Sequence, residues 1–119
     1  MATVVKRKLS GSTDGKPIKV VETATAGTTI HTAVAGTTAG TFDEIWLFAY
    51  NGHTGDVVLT IEFGGASVPD QNIIVTLAFK SGLQLVVPGL ILQNEMVVKA
   101  FASVANVITL SGFVNRITD

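Results

Sequence analysis

The chain has 119 residues, of which 14% are charged and 47% are hydrophobic, and its formal net charge is −1. This length is enough for one domain with a core of ordinary size. Because soluble domains carry about 25% charged residues, the shortage of charge predicts that part of the surface is buried against other chains. The absence of cysteine excludes disulfides, thiolate chemistry and zinc–cysteine sites.

A membrane span or a secretory leader would also make the composition apolar, but the sequence supports neither. The longest strongly apolar run without charge, residues 81–94, is shorter than the ~20 residues of a spanning helix. It is also interrupted by Pro88 and Gly89. The first eleven residues lack the apolar stretch that a secretory signal has beside its basic cluster. We therefore expect no membrane partner.

Basic residues concentrate at the N-terminus. Residues 1–19 hold five of the eight lysines and arginines and a single acid, whereas residues 20–119 hold eight acids. We interpret residues 1–16 as a basic N-terminal arm and residues 17–119 as the folded domain. The arm is expected either to be solvated or to bind an acidic neighbour through Lys6, Arg7, Lys8 and Lys16. Since no aromatic residue alternates with the basic ones, nucleic acid is a poor candidate partner.

Beyond the arm, the apolar pattern is that of β-strands throughout. Strands are predicted at 17–23, 28–34, 45–50, 57–63, 73–79, 83–87, 96–102 and 107–114. Turn sequences separate them, including an Asn-Gly pair at 51–52 that is typical of a hairpin. No segment of about ten residues has the apolar stripe of a helix. The spacing predicts an all-β fold, a single-domain antiparallel sandwich that is jelly-roll-like and has about eight strands.

Residues 23–42 form a segment without any charge that consists mostly of Thr, Ala and Gly. A strand in this segment would place Thr28, Ile30, Thr32 and Val34 on one side. Small half-polar side chains of this kind suit a surface that another chain covers. With Phe42, these residues are the predicted contact surface. The alternative is a solvated, Thr-rich loop.

Few residues could support catalysis. His31 and His53 are the only histidines. His53 shares a turn with Asp56, and the adjacent Asp43 and Glu44 would point to opposite faces of a strand. The sequence has no nucleophile elbow, phosphate loop or calcium loop. We therefore predict that the chain is not an enzyme and has neither a metal nor a cofactor.

Trp46 and Tyr50 raise a different possibility, because aromatic side chains can form a platform on which a sugar ring stacks. Both residues lie in the most apolar predicted strand, 45–50. That strand is apolar on both faces and is expected in the centre of the fold. The sequence therefore favours a core or inter-sheet role for the two side chains over sugar binding.

The segment GLQLVVPGLILQNEMVVKAFASVANVITLSGFVNRI, residues 82–117, resembles small accessory virion proteins of tailed bacteriophages. The shared pattern is an apolar strand and a turn, then VVKAFAS, a short AN link and VITLSGFV near the C-terminus. KPIKVVETATAGTTIHTA, residues 16–33, is similar to sequences of the same proteins. The turn departs from the pattern, with Asn94-Glu95 where such proteins often have Gly-Asp.

The resemblance implies a capsid decoration, or cement, protein. Such a protein is made in the bacterial host cytoplasm, sits on the capsid surface as a homotrimer and binds the major capsid protein. Lys6, Arg7, Lys8 and Lys16 would then be a capsid-binding arm, and the predicted contact surface would face other copies or the shell. Two alternatives stay open. One is a tail, fibre or baseplate module that binds a host-surface glycan, and the other is a hydrolase-like enzyme with a histidine beside a carboxylate in a cleft.

Overall fold

The structure is a computed structural model and describes residues 2–119. Within this range nine strands form two antiparallel sheets that pack as a sandwich, which confirms the predicted all-β sandwich. The same range contains no helix long and apolar enough to cross a bilayer. The strands are β1 (Thr3–Lys8), β2 (Ile18–Lys19), β3 (Thr28–Thr32), β4 (Phe42–Asn51), β5 (Val57–Phe63), β6 (Asn72–Leu77), β7 (Gln84–Leu92), β8 (Val97–Ala102) and β9 (Ile108–Thr118).

The strands pair as the two arms of one long hairpin would, and the resulting pairs are divided between two sheets. Sheet A has the order β1-β9-β4-β7, with the short β2 also paired to β9, and sheet B has the order β3-β8-β5-β6. Strand β5 pairs with β6, β4 with β7, β3 with β8 and β1 with β9, all antiparallel. The pairs are nested in the sequence, with β5–β6 innermost and β4–β7, β3–β8 and β1–β9 following outwards. Successive pairs lie alternately in sheet B and sheet A. This nesting is the jelly-roll arrangement.

The core lies between the sheets and follows the period-two pattern of the strands. In β4 the residues Ile45, Leu47 and Ala49 are fully buried, while the residues between them point outwards. Leu59 and Ile61 of β5 are buried in the same core. Fully burying a side chain of this size contributes about 1.5–3 kcal/mol, so these alternating positions hold the two sheets together.

Strand β7 is longer than predicted, because it continues through Pro88 and Gly89 to Leu92. The sequence suggested that the strand ends at Val87. In the structure β7 is an edge strand of sheet A, and its register against β4 shifts twice, once next to Pro88. Edge strands and bulges are where a residue without an N–H can be accommodated. The proline therefore marks an irregular edge and does not end the strand.

The basic N-terminal segment contributes a strand that the sequence analysis missed. Residues Thr3–Lys8 form β1, which pairs along its whole length with β9 while all six of its side chains stay exposed. The sequence predicted an arm that is solvated or bound to an acidic neighbour, whereas the structure pairs this segment with the chain's own β9. The physical reason is that β9 is long and offers an edge to an extended segment. The boundary between a basic arm, residues 1–16, and the folded domain, residues 17–119, stays a prediction.

The Thr-rich segment contains β3, but its faces differ from the predicted alternation. The register of β3 against β8 shifts between Thr29 and His31, so that Ile30 and His31 are both buried. Hydroxyl groups tie the flanking residues to the fold. The Thr28 hydroxyl oxygen accepts the backbone N–H groups of Val21 and Glu22, at 3.1 and 3.4 Å. Residues 35–39, by contrast, are exposed.

Candidate functional site

The outer face of sheet A carries a row of aromatic side chains. Because the odd-numbered residues of β4 point into the core, the even-numbered ones point away from it. Residues directly opposite each other on antiparallel strands share a face, and Phe113 of β9 lies opposite Trp46. We call this set the aromatic face, and its members are Phe42, Trp46, Phe48, Tyr50 and Phe113.

Trp46 lies at the centre of the aromatic face, between Phe113 of β9 and Gly89 of β7. Its ring and that of Phe113 are nearly parallel, with an interplanar angle of 16° and 6.2 Å between centroids. The indole also covers Gly89 of β7, where an added Cβ would come within 2.8 Å of Trp46 Cζ2. Gly89 has a φ of 78°, which a side chain would disfavour. The glycine therefore both shapes the edge strand and makes room for the indole.

Polar groups surround the two rings. Glu44 Oε1 accepts hydrogen bonds from Trp46 Nε1 at 2.8 Å and from Asn115 Nδ2 at 3.0 Å. These two hydrogen bonds hold the pKa of Glu44 below its usual value. On the other side, Lys6 Nζ lies 4.5 Å from the centroid of the Phe113 ring, which is a cation–π contact. A carboxylate, an amide and an ammonium group therefore surround the two aromatic rings.

The apolar character extends from the aromatic face onto β7. Leu85 lies opposite Phe48 and Ile91 lies opposite Glu44, so both share the outer face. Leu85 is 48% exposed and Ile91 is 55% exposed. Large exposed apolar patches on soluble proteins usually mark a binding surface. The outer face of sheet A is therefore the strongest candidate surface in the described part of the chain.

The predicted contact residues do not form one surface. Ile30 is fully buried in the core, so it cannot contact another chain. Thr28 and Thr32 lie half-buried on β3 of sheet B, with Val34 just beyond them. Phe42 belongs to the aromatic face of sheet A, where it lies opposite Ile117.

Trp46 and Tyr50 were expected in the core or between the sheets, and this expectation was wrong. Both lie on the outer face of sheet A, where Tyr50 is 37% exposed. The predicted strand has apolar residues on both faces, and that pattern does not tell whether its second face is covered. The structure therefore makes these residues available for binding.

The predicted arm residues are also divided between different surroundings. Lys6 contacts Phe113 on the outer face, whereas Arg7 and Lys8 line a pocket beside β3. Lys16 is exposed in the loop before β2, and its carbonyl oxygen accepts a hydrogen bond from Ser12 Oγ at 2.7 Å. The basic residues therefore do not act as one cluster.

A buried polar cluster of His31, Asp43 and Arg116 joins the two sheets. Asp43 is fully buried, and its Oδ2 accepts a hydrogen bond from His31 Nε2 at 2.7 Å. Arg116 donates to both carboxylate oxygens, and the backbone N–H of Val34 donates to Oδ2 at 3.2 Å. Burial alone would raise the pKa of Asp43, but the hydrogen bonds from Arg116 and His31 and the charge of Arg116 hold it below its usual value. The carboxylate is therefore ionised and fully paired.

The geometry around His31 favours a structural role over a catalytic one. The backbone N–H of Ser10 donates to Nδ1 at 3.0 Å, so this nitrogen is an acceptor and Nε2 carries the proton that is donated to Asp43. The Ser10 hydroxyl oxygen accepts the N–H of Thr32 at 2.7 Å. A general base needs a nitrogen that can reach the hydroxyl proton of a nucleophile. Both ring nitrogens of His31 already make hydrogen bonds, one with Ser10 and one with Asp43. His31 therefore links β3 to β4 and to the segment that follows β1.

The sequence pattern does not predict that these three residues meet. His31 and Asp43 are 12 residues apart, and Asp43 and Arg116 are 73 apart. One observation could have identified Asp43. It continues the inward-facing positions of Ile45 and Leu47, and a buried acid needs a cationic partner.

Glu62 lies on the face of β5 that points away from the core residues Leu59 and Ile61, yet it is only 2% exposed. Its Oε2 accepts the hydroxyl proton of Thr25 at 2.9 Å, and its Oε1 accepts the N–H of Gly27 at 2.7 Å. The loop before β3 is thereby tied to β5. Glu62 is therefore an anchor for the Thr-rich segment.

Comparisons with family models, with curated proteins and with solved structures found no match for the chain. Among the described residues, no group of three or more His, Asp or Glu side chains is arranged to hold a metal ion. The functional assignment therefore rests on the geometry of the surfaces and on the sequence.

Proposed function

We propose that this chain is a structural protein that works by binding other protein chains through the outer face of sheet A. In the form that its sequence resemblance suggests, it is a virion protein that binds the outside of a tailed-phage capsid. There it would reinforce the shell by bridging capsomers, as a trimer. Its partners would be the major capsid protein and copies of itself.

The observation that carries this proposal is the apolar outer face of sheet A. Trp46 and Tyr50 belong to the residue types that dominate binding energy at protein interfaces. The neighbouring Leu85 and Ile91 extend the apolar area to the sheet edge. At ~25 cal/mol per Å² of apolar surface, a contact of standard size, about 800 Å² on each partner, offsets the cost of association. The same contact repeated over a lattice would stabilise the whole shell.

The fold offers support by analogy only. Jelly rolls occur in viral capsid proteins, and they also occur in lectins and other proteins. A fold of this kind hosts many functions, so the site must decide between them. The analogy agrees with a virion role without selecting it.

Self-association is tested with two matched variants. Ile91 and Ile74 are 55% and 60% exposed, but only Ile91 lies on the outer face of sheet A, whereas Ile74 lies on β6 at the edge of sheet B. We expect an oligomer in sedimentation velocity for the wild type and for Ile74→Asp, and a monomer for Ile91→Asp. If both variants have the same oligomeric state, the outer face of sheet A is not the interface.

Capsid binding is tested by co-sedimentation with empty shells of the phage that encodes the chain. The wild type and Ile74→Asp should sediment with the shells, and Ile91→Asp should remain in the supernatant. A wild-type chain that is monomeric at its highest soluble concentration and ignores the shells would reject the proposal.

A second candidate function is a tail, fibre or baseplate module that binds a host-surface glycan. It is favoured by the near-parallel rings of Trp46 and Phe113, framed by Glu44, Asn115 and Lys6. Sugars bind to such platforms by stacking on the rings and by hydrogen bonding to flanking polar groups. Trp46 is the only tryptophan, so its fluorescence reports on this face. A saturable change on titration with host-surface glycans, lost in Phe113→Ala, would favour the module over the capsid protein.

A further inference from the structure

A positively charged pocket lies beside β1, on a different part of the molecule from the aromatic face. Its volume is about 400 Å³, and it is lined by Arg7, Lys8, Ser10, His31 and Arg116. Arg7 lies opposite Val114, a core residue, so it shares the inner face of sheet A. The pocket therefore lies on the inner side of β1, at the edge of sheet A next to β3.

The charges that line this pocket do not cancel. Three of the five lining residues are cationic, and none of the five is a carboxylic acid. Arg116 is neutralised by Asp43, which lies fully buried behind it. Arg7 remains as the positive charge at the mouth of the pocket. Lys8 lies opposite Phe113, so its side chain points to the outer face of sheet A and away from the pocket. An enclosed site of one sign attracts a ligand of the opposite sign more strongly than an open surface does.

The walls of the pocket are held in place by buried residues and backbone bonds. Leu9, between Lys8 and Ser10, is only 1% exposed and fixes the chain at the end of β1. The Ser10 N–H binds His31 Nδ1, and the Ser10 hydroxyl oxygen accepts the N–H of Thr32. That bond uses the oxygen as an acceptor and leaves the hydroxyl proton to donate. Arg116 is held by two hydrogen bonds to Asp43.

We propose that this pocket binds an oxyanion group, a carboxylate or a phosphate. The guanidinium of Arg7 supplies a planar pair of donors that matches either group. The Ser10 hydroxyl contributes a neutral donor. Arg116, whose charge is paired with Asp43, forms the back wall of the pocket. His31 forms part of the wall and donates nothing to the ligand, since its one N–H is used by Asp43.

The proposal goes beyond the outer-face function and does not depend on it. Oxyanion binding could fail while the outer face still mediates assembly, and the reverse is also true. The pocket offers a specific role for Arg7, one of the basic residues near the N-terminus. Arg7 would recognise one anionic group in a defined site and would not act by general charge.

The test uses the full chain and calorimetric titration with inorganic phosphate and, separately, with acetate. Sodium chloride keeps the ionic strength constant, so that screening does not imitate binding. We expect saturable binding of at least one anion to the wild type. Arg7→Gln should weaken that binding about fivefold or more, because it removes a charge-assisted hydrogen bond. Lys8→Gln removes a charge from the opposite face of β1 and should leave the affinity unchanged. Circular dichroism checks that both variants are folded.

Lys16→Gln is the matched control, since it removes the same charge from an exposed residue outside the pocket. Its affinity should equal that of the wild type. The proposal is overturned if neither anion binds beyond the chloride reference, or if Lys16→Gln weakens binding as much as Arg7→Gln. Methyl phosphate and succinate then distinguish the source. Tighter binding of methyl phosphate supports a phosphorylated ligand, and tighter binding of succinate supports a carboxylate ligand.

Discussion

Asp43 on β4 and Arg116 on β9 lie directly opposite each other and form a two-point ion pair. Arg116 Nε lies 2.8 Å from Oδ1 and Nη2 lies 3.0 Å from Oδ2. The carboxylate is fully buried. Because His31 of β3 donates to the same group, this pair connects sheet A to sheet B at one end of the sandwich.

Replacing Asp43 by Asn should destabilise the fold by about 3 kcal/mol, because it leaves Arg116 without its partner in a half-buried position. The measurement is urea unfolding followed by circular dichroism. Asp70→Asn is the control, since Asp70 is exposed in the loop before β6, and we expect its free energy of unfolding to change by less than about 0.5 kcal/mol. Equal effects of the two substitutions would show that the ion pair contributes nothing specific.

The pH dependence of stability follows from the same carboxylate. The pKa of Asp43 is lowered below its ordinary value of 3.8 in the folded chain, so the unfolded chain takes up the proton first as the pH falls. The stabilisation is therefore complete above the ordinary pKa and is lost as the pH drops through the lowered folded pKa. We expect the urea midpoint to be level from about pH 6 to 5 and to fall below about pH 4. Asp43→Asn should flatten this fall, and an unchanged profile would contradict the assignment.

Gly89→Ala tests how Trp46 is seated on the sheet. An alanine at Gly89 meets two penalties, a φ of 78° and a Cβ within 2.8 Å of the indole. Gly82 has a φ of 86° but open space around its Cα, so Gly82→Ala carries only the backbone cost of about 1–2 kcal/mol. We expect Gly89→Ala to lose more stability than Gly82→Ala in urea unfolding. It alone should shift the fluorescence maximum of Trp46.

Most strands could be predicted from the sequence because apolar residues recur at every second position within them. The β4 and β5 segments alternate clearly, and the turn at 51–56 between them has a local signature. Strand β1 was missed because Lys6, Arg7 and Lys8 suggested a solvated arm, while its pairing with β9 depends on residues about a hundred positions away. The aromatic face was misassigned for a related reason. A strand that is apolar on both sides gives no indication of whether its second side is covered.

The polar contacts of the fold were the least predictable part, because each one joins segments that are distant in sequence. His31, Asp43 and Arg116 come from β3, β4 and β9. The alternation of β5 points Glu62 away from the core, and its burial depends on the loop at 25–27, which binds its carboxylate. Local periodicity gives the direction of a side chain but does not give the partner it meets.

The anchoring of the Thr-rich segment provides the last prediction. Glu62 holds Thr25 and Gly27 through one carboxylate oxygen each, at 2.9 and 2.7 Å. Glu62→Ala removes both acceptors and leaves the Gly27 N–H without its partner, which should cost about 1–3 kcal/mol. The loop at 23–27 should then open more often, and amide hydrogen exchange followed by mass spectrometry should be about tenfold faster there while β9 is unchanged. Glu22→Ala is the control, because the Glu22 side chain is exposed. Unchanged exchange in Glu62→Ala would mean that the loop is held by its own backbone contacts, such as the bond from the Val21 N–H to Thr28.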